Sequence, residues 1–330
     1  MEKEKILVTG GAGYIGAQNL KLLKKNSFSP ITFDNLSTGN LSSVKWGDFI
    51  KGDLKNLTDI DNALKKYKPK AVMHFAANAL VYESTQNPQK YYENNVIGTI
   101  NLLKAMLENN IKYFIFSSSC ATYGHPEFSP ITEDHPQIPI SPYGKSKYMI
   151  EEILKDYSNV YGLRYVTLRY FNAAGADLEL EIGENRTEET HLIPLAIDTS
   201  LGINPFLNIY GTDYDTLDGT AIRDYIHVED LASAHLKALN YIFEGKNSIE
   251  LNLGSEKGFS VLEIVKEIEK LTQKKINLKY VKRRKADPSI LFADSSKAKK
   301  VLKWYPEVSD IQTIITSALK WHQKKKNLKS

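Results

Sequence analysis

Short apolar runs alternate with longer amphipathic stretches through the first half of the chain. Each run is continuously apolar, which is typical of a parallel sheet covered on both faces. The stretches between them carry apolar residues at helical spacing. The pattern predicts a doubly wound, Rossmann-type α/β domain. The six predicted strands are Lys5–Thr9, Pro30–Asp34, Asp48–Gly52, Ala71–Phe75, Lys112–Ser117 and Tyr165–Tyr170, and the predicted helices are Tyr14–Lys25, Thr58–Tyr67, Pro88–Asn109 and Ser141–Tyr161.

This regular alternation ends near Phe171. Residues 172–190 form a glycine-containing acidic stretch, and shorter strand and helix patterns follow irregularly as far as Trp321. We therefore predict a first domain over residues 1–171 and a smaller mixed α/β lobe over residues 172–330. Neither a linker nor a composition break separates them, so the two are expected to be interwoven.

Composition narrows the class of protein only slightly. The chain has 330 residues and a net charge of +4, and its basic excess lies in short C-terminal clusters without interleaved aromatic residues. This pattern does not favour nucleic-acid binding. Cys120 is the only cysteine, so neither an internal disulfide nor a cysteine metal site is expected. No signal peptide and no apolar run of about 18 residues is evident, which predicts a cytoplasmic protein without a membrane span.

A glycine motif follows the first strand and opens the first helix. Gly10, Gly13 and Gly16 would allow a tight turn, close approach of a pyrophosphate to backbone N–H groups, and close helix packing. Asp34 ends the second strand, where a carboxylate would bind the ribose diol and repel a 2′-phosphate. The motif predicts NAD rather than NADP. The alternative is an ordinary tight turn with Asp34 capping a loop.

Other candidate residues lie where predicted strands end. Asp53 follows the third strand, and Phe75, Ala76 and Ala77 close the fourth. Ligands of open α/β sheets bind at these carboxyl ends. For the small alanines, ordinary packing is an equally good interpretation.

Tyr143 and Lys147 form a Tyr-x-x-x-Lys pair at the start of a predicted helix. The spacing puts both side chains on one face, where the ammonium favours the phenolate and makes Tyr143 a candidate general base. Taken alone, such a pair would more often lie on a surface; the preceding glycine motif favours the catalytic interpretation. Ser119 is the last of three serines that close the fifth strand. Its hydroxyl could hydrogen-bond the substrate oxygen from which Tyr143 takes the proton. Cys120 is interpreted as a small buried residue.

Together these segments resemble the extended short-chain dehydrogenase/reductase family, over Ile6 to Trp321. The segments with the family-wide pattern are Val8–Gly16, Asp34–Leu36, Tyr91–Thr99, Phe116–Ser119 and Ser141–Lys147. Two further stretches, Gly211–Thr216 and Asp218–Val228, are more specific to the members that epimerise UDP-sugars. The resemblance implies an isomerase that reversibly inverts C4 of UDP-galactose and UDP-glucose through a transient 4-keto sugar, with tightly bound NAD and no metal.

The resemblance also implies roles for individual residues. Ser119, Tyr143 and Lys147 match the catalytic trio. The positions that match NAD contacts are Gly10, Gly13, Tyr14, Ile15, Gly16, Asp34, Asn35, Asp53, Leu54, Phe75, Ala76, Ala77, Asn94, Tyr143, Lys147 and Phe171. The positions that match UDP-sugar contacts are Ser119, Tyr143, Asn172, His191, Leu192, Asn208, Tyr210, Arg223, Arg284, Asp287 and Leu291. Leu291 matches a position that borders the 2-substituent of the sugar, so a secondary activity on UDP-N-acetylhexosamines is expected.

The sequence departs from the family pattern at a few positions. Ala17 and Gln18 replace the usual Ser-His, Ala79 stands where some members have lysine, and Ala286 replaces a glycine. Three alternative functions stay open: a 4,6-dehydratase, an enzyme of UDP-uronic or UDP-pentose sugars, and a non-catalytic NAD-sensing or RNA-binding member. The dehydratase is disfavoured because Cys120, Ala121 and Thr122 supply no acid after Ser119, and the non-catalytic member because the Tyr–Lys pair is retained. By analogy with the family, a homodimer formed through the helices at Pro88–Asn109 and Ser141–Tyr161 is expected.

Overall fold

The computed structural model describes residues 3–186, 188–284 and 287–327. Within these ranges, no helix combines the length and apolar character that a membrane span requires. The strands of this part of the chain are β1 (Lys5–Thr9), β2 (Ser29–Asp34), β3 (Asp48–Lys51), β4 (Ala71–His74), β5 (Tyr113–Ser119), β6 (Arg164–Tyr170), β7 (Asn172–Ala174), β8 (Leu207–Tyr210), β9 (Ile222–His227), β10 (Ile249–Leu253), β11 (Gly258–Ser260), β12 (Leu278–Val281) and β13 (Ile290–Leu291).

The helices are distributed over both halves of the chain. They are α1 (Tyr14–Lys25), α2 (Leu57–Tyr67), α3 (Val81–Gln86), α4 (Pro88–Tyr91), α5 (Gly98–Glu108), α6 (Pro142–Tyr161), α7 (Leu192–Ser200), α8 (Val228–Phe243), α9 (Val261–Thr272), α10 (Ser296–Leu302) and α11 (Ile311–Asn327). The long helix predicted from Pro88 consists of α4 and α5 joined by a π-helical turn over Tyr92–Ile97. Its predicted extent is therefore correct, but its backbone is not uniformly α-helical.

The central sheet has seven parallel strands in the order β3-β2-β1-β4-β5-β6-β10. The Rossmann-type fold predicted from the sequence is confirmed, and all six predicted strands are present. The largest boundary difference is in β5, which continues through Ser119 instead of ending at Ser117. Strand order reverses between β1 and β4, and the carboxyl ends of the strands around this point form the ligand-binding edge of such sheets.

Two apolar clusters cover the two faces of this sheet. Ile6 and Val8 of β1 pack with residues of α1 and α8, whereas Leu7 between them packs with residues of α2, α5 and α6. Successive side chains of a strand point to opposite faces, so a continuously apolar strand is buried on both sides. This burial explains why the sequence pattern predicted the strands.

Segments beyond residue 171 complete the large domain. Strand β10 pairs with the edge of β6, and α8 packs against α1 under the sheet. The rest of the C-terminal half forms a smaller lobe, in which β11, β9, β13 and β7 make one sheet, β8 and β12 a second, and α7, α9 and α11 share a separate core. The predicted boundary at residue 171 separates a cofactor-binding domain from a substrate-binding lobe, and this assignment stays a prediction.

Candidate active site

The glycine turn after β1 brings the ends of β1 and β4 into direct contact. Gly10 has a φ of +74°, and a Cβ atom on it would lie 2.6 Å from the amide nitrogen of Ala76. A Cβ on Gly16 would overlap the carbonyl oxygen of Gly10. Helix α1 begins after Gly13 without a side-chain cap or an acidic residue in its first turn. Its first N–H groups are therefore free to bind an anion.

Acidic side chains are fixed at the ends of the next two strands. The Asp34 carboxylate accepts hydrogen bonds from the amides of Ala12 (3.0 Å) and Leu36 (2.8 Å), and burial raises its pKa above the usual range. The Asn35 amide donates to Asp53 Oδ2 at 3.1 Å. Asp34 thus caps the glycine loop, the structural role considered above, while its place at the end of β2 also suits a ribose diol.

Asn95, which sequence reasoning passed over, connects the loop after β4 to α6. Its side chain accepts from the amide of Asn78 (2.9 Å) and donates to the Asn78 carbonyl and the Ser146 hydroxyl, both at 3.0 Å. The predicted NAD contact Asn94 donates to Asn95 Oδ1 at 3.0 Å. The sequence signal for Asn95 is that it directly follows Asn94, but only Asn94 matches a position at which the family contacts NAD.

The remaining predicted NAD contacts are mostly packed into the fold. Leu54 lies against Gly98 at the start of α5, and the Phe75 ring lies 4.7 Å from the ring of His235. The Tyr14 hydroxyl donates to the Gly175 carbonyl at 2.6 Å, so it joins α1 to the segment after β7. Ile15 packs against the core between the sheet and α1.

Helix α6 presents Tyr143 and Lys147 to the end of β5. Ser141 caps this helix by accepting from the amide of Gly144 at 3.1 Å, and Pro142 occupies its first turn. Lys147 Nζ donates to the Ser117 carbonyl at 2.7 Å and lies 6.0 Å from the centre of the Tyr143 ring.

The three serines of β5 have different partners. The Ser117 hydroxyl is hydrogen-bonded to the hydroxyl of Tyr170, and the Ser118 hydroxyl donates to Glu151 at 2.5 Å. The Ser119 hydroxyl accepts from the amide of Ala121 at 3.2 Å, and its proximity to the Tyr143 phenol lowers the pKa of that group. The structure therefore places Ser119, and not its two neighbours, at the phenol.

Burial opposes charge on both partners of the Tyr–Lys pair. It raises the pKa of Tyr143, with Tyr170 adding to the effect and Ser119 acting against it. It lowers the pKa of Lys147 to about 7. The sequence led us to expect a phenol whose pKa is shifted toward neutral pH, whereas in the structure burial shifts the pKa of Tyr143 in the opposite direction. Burial likewise raises the pKa of the Cys120 thiol to about 12, although the residue is only partly buried and not fully buried as predicted.

Four predicted UDP-sugar contacts form two pairs in the smaller lobe. Arg223 Nη2 is ion-paired with Asp287, and the Tyr214 hydroxyl donates to the same carboxylate at 2.9 Å. The Arg284 guanidinium lies 4.0 Å from the centre of the Tyr210 ring. Asn208 lies two residues before Tyr210 on β8. Arg223 is largely buried, whereas Arg284 is exposed and held by its stack on tyrosine.

His191 and Leu192 stand at the start of α7 beside a buried carboxylate. Glu184 Oε1 accepts from His191 Nδ1 at 2.8 Å and from Arg186 Nε at 2.7 Å. Burial alone would raise the pKa of Glu184, but His191 and Arg186 hold it below the usual range. Arg186 is also among the groups that lower the pKa of Tyr143. Sequence reasoning missed Arg186 because it lies in the acidic loop, with no motif around it.

Leu291 lies close to the residues that follow β5 and β6. It belongs to one apolar cluster with Phe171 and Tyr123, against which Cys120 packs, and it is 8% exposed. Asn172 lies exposed at the start of β7, directly after Phe171. The structure thus brings Leu291, the residue expected to border the 2-substituent of the sugar, to the strand end that carries Ser119.

None of the departures from the family pattern is a member of the catalytic trio. Ala17 and Gln18 are buried in α1, and the Gln18 amide donates to Asp177 at 3.3 Å. Ala79 lies in the loop between β4 and α3. The expected strain at Ala286 concerns a residue that lies outside the described ranges.

A glycine turn at an uncapped helix, a carboxylate at the end of β2 and a Ser–Tyr–Lys trio at the same sheet edge define a dinucleotide-dependent enzyme of the Rossmann type. Residues 6–254 match the model of the NAD dependent epimerase/dehydratase family. The chain belongs to this family, and NAD is its cofactor.

Similar proteins extend over nearly the whole chain. The UDP-glucose 4-epimerase of Rhizobium meliloti (strain 1021) is 49% identical over 98% of this chain and 99% of its own length. The crystal structure of UDP-glucose 4-epimerase from Brucella ovis in complex with NAD is 48% identical, with a TM-score of 0.93 and coverage of 96% and 98%. The UDP-Glc/GlcNAc 4-epimerase of Campylobacter jejuni is 40% identical, with a TM-score of 0.83 and coverage of 97% and 99%.

Proposed function

We propose that this protein interconverts UDP-galactose and UDP-glucose by inverting the sugar at C4. The observation that carries the proposal is the placement of Ser119, Tyr143 and Lys147 at the sheet edge that also holds the Gly10–Gly16 turn. The near full-length similarity to UDP-glucose 4-epimerases supports it.

The residues at the glycine turn fit NAD. The backbone there leaves no room for a Cβ on Gly10 or Gly16, and the start of α1 offers free N–H groups to a pyrophosphate. Asp34 offers a carboxylate to a ribose diol, with Asn35 and Asp53 beside it. Bound there, NAD would supply a reversible hydride acceptor for C4 of the sugar. Because each turnover restores the cofactor, the protein needs no exchange of NAD.

The protein's own side chains handle the C4 proton. Tyr143 accepts the proton of the C4 hydroxyl, and Ser119 hydrogen-bonds the same oxygen and the phenol. Lys147, fixed on the Ser117 carbonyl, supplies the positive charge that favours the phenolate. Arg223 and Arg284 are proposed to bind the diphosphate, and Asn208 and Asp287 the uracil and ribose. Asn172, His191, Leu192 and Tyr210 complete the proposed UDP-sugar site.

Incubating the purified protein with UDP-galactose, without added NAD, tests this function. We expect UDP-glucose as the product and NAD in the supernatant of the denatured protein. A requirement for continuously supplied NAD would instead indicate a net dehydrogenase. Loss of water from the sugar would indicate a 4,6-dehydratase, and turnover of UDP-arabinose alone would indicate a pentose enzyme.

Leu291 is proposed to leave room for a 2-acetamido group. Leucine lacks the ring and hydroxyl of tyrosine, but it is apolar and offers the acetamide no hydrogen bond. UDP-galactose should therefore be the better substrate and UDP-N-acetylgalactosamine a slower but measurable one. Leu291→Tyr should suppress the acetamido activity selectively, because the added ring clashes only with the larger sugar. Product analysis with both sugars checks this. An equal loss of both activities would show that Leu291 is not the gate.

We also propose a homodimer formed through α4–α5 and α6. Ile97, Ile100 and Met149 on these segments are 50%, 38% and 45% exposed, so each helix carries apolar surface that faces outward. A symmetric four-helix contact would bury it. Light scattering at micromolar concentration should give about twice the chain mass of 37.3 kDa; a monomer mass would contradict the proposal. A cytoplasmic location stays a prediction from the sequence.

A further inference from the structure

A fully buried carboxylate lies one helical turn beyond Lys147. Tyr143, Lys147 and Glu151 follow one another at intervals of four residues on α6, and the Glu151 side chain is 0% exposed. Its carboxylate accepts from the Ser118 hydroxyl at 2.5 Å, from Gln137 at 3.0 Å and from Arg169 at 2.6 Å. None of the catalytic steps above uses it.

Glu151 is connected to the catalytic trio through β5. Ser118, which it holds, stands between Ser117, whose carbonyl accepts from Lys147, and Ser119, whose hydroxyl meets Tyr143. The 2.5 Å hydrogen bond therefore fixes the short backbone segment on which two members of the trio depend.

Arg169, the cation paired with Glu151, also has hydrogen-bond partners outside α6. Arg169 donates to Glu151 through Nε and Nη2, and its guanidinium also donates to the Tyr123 hydroxyl at 2.9 Å and to Gln137 Oε1 at 3.1 Å. Tyr123 in turn donates to Asn252 of β10 at 2.7 Å. Arg169 is thus held toward β10 and the loop before α6.

Few titratable groups face Lys147 from the elements packed around it. His74 of β4 stays neutral because burial lowers its pKa to about 3, and Tyr170 of β6 stays neutral because burial raises its pKa to about 12. On α6 itself lie Tyr143 and Glu151. Burial lowers the pKa of Lys147, and Glu151 is the group that acts against this effect.

We propose that Glu151 is a positioning residue of this active site, whose carboxylate keeps Lys147 charged and whose hydrogen bond to Ser118 holds the end of β5 against Tyr143. The proposal rests on the epimerase function proposed above. It assigns the buried Glu151–Arg169 pair a part in setting the pH range of turnover, in addition to joining α6 to β6.

Replacing the charge while keeping the shape of the side chain tests the proposal. In Glu151→Gln, Lys147 should lose its proton at lower pH, so that less positive charge favours the Tyr143 phenolate. The acid limb of the pH profile of kcat should then move up by about one pH unit, with KM for UDP-galactose nearly unchanged. Below the optimum, this shift corresponds to about a tenfold loss of kcat at a given pH.

A double variant separates the charge of Glu151 from the stranded charge of Arg169. Glu151→Gln with Arg169→Gln removes both charges, recovers thermal stability relative to the single variant, and should still show the upward shift. If the double variant has the wild-type pH profile, the shift belongs to unpaired Arg169 and the proposal fails. The double variant also serves if the single variant does not fold, because it leaves no unpaired buried charge.

Asp230→Asn is the matched control. Asp230 is also a buried carboxylate that accepts from a serine hydroxyl, but its partners are Ser309 and the amides of Glu307 and Val308. The Asp230→Asn variant should have a lower melting temperature and the wild-type pH profile of kcat. A Glu151→Gln enzyme that melts earlier but has the wild-type profile would show a purely structural role and overturn the proposal.

A second readout does not depend on turnover. Ultraviolet difference titration against Tyr143→Phe isolates the ionisation of the Tyr143 phenol, which should occur at higher pH in Glu151→Gln than in the parent protein. An unchanged titration would overturn the inference. If the wild-type protein does not convert UDP-galactose, the proposed function fails, while this titration still decides the role of Glu151.

Discussion

Tyr143→Phe is expected to lose about a hundred- to ten-thousand-fold in kcat while keeping its NAD and its affinity for UDP. The substitution removes one hydroxyl, and the Tyr143 ring still packs against Tyr91 at a centroid distance of 6.4 Å. In the proposed reaction this hydroxyl accepts the proton of the C4 hydroxyl and does not hold the uridine diphosphate. The loss should therefore fall on turnover and not on binding.

Tyr148→Phe on the same helix is the control for this prediction. Tyr148 is partly exposed and five residues further along α6, so its hydroxyl can be removed with turnover unchanged. Initial rates with UDP-galactose, UDP binding by calorimetry and NAD content after denaturation give the three readouts. Wild-type turnover in Tyr143→Phe would remove the mechanism, and loss of NAD would show that the substitution disturbed the cofactor site.

Gly10→Ala is expected to empty the cofactor site, whereas Gly162→Ala should not. The two glycines have nearly the same φ, +74° and +68°, so alanine meets a similar backbone strain of about 1 kcal/mol at either position. Their surroundings differ. A Cβ on Gly10 would lie 2.6 Å from the Ala76 amide nitrogen, and a Cβ on Gly162 would find no atom within 4 Å.

The overlap at Gly10 should add a further ~1–3 kcal/mol of destabilisation and push the turn away from the end of β4. We expect Gly10→Ala to be purified without NAD and to be inactive, and Gly162→Ala to retain both NAD and activity. Urea unfolding and NAD content measure the two effects. Equal stability and equal NAD in both variants would show that the close approach of Gly10 to Ala76 has no role in holding the cofactor.

Most strands of the large domain could be predicted because buried strands appear in the sequence as short apolar runs. Five of them have apolar runs that are buried on both faces of the sheet, and the edge strand β3 has an apolar pair between two exposed polar residues. The seventh, β10, was not recognised because it reads Ile-Glu-Leu-Asn-Leu and lies within the irregular C-terminal half. Its apolar residues face the core, while Glu250 and Asn252 hydrogen-bond Tyr165 and Tyr123. Half-buried edge strands alternate in polarity and give no sign of their distant partner.

Sequence reasoning predicted some residues of the candidate site and missed others. Glycine spacing, the Tyr–Lys pair and the family pattern led to the residues that touch ligands in the proposed function. Asn95 and Glu151 were missed because each acts through a contact with a residue far away in the chain, and Arg186 because only the fold brings its charge near Tyr143. Glu151 accepts from Arg169 of β6 and Ser118 of β5, and Asn95 connects the loop at Asn78 to α6.

By itself, the sequence determined the class of fold and the preference for NAD and predicted the Tyr–Lys pair, because each depends on local spacing and on residue type. The tertiary structure decided which serine meets Tyr143, how burial shifts the pKa values of Tyr143 and Lys147, and that Arg223 pairs with Asp287. These properties depend on solvent exclusion and on charges brought together from distant segments. Desolvation and Coulomb interactions act through space, so they are set only when the chain has folded.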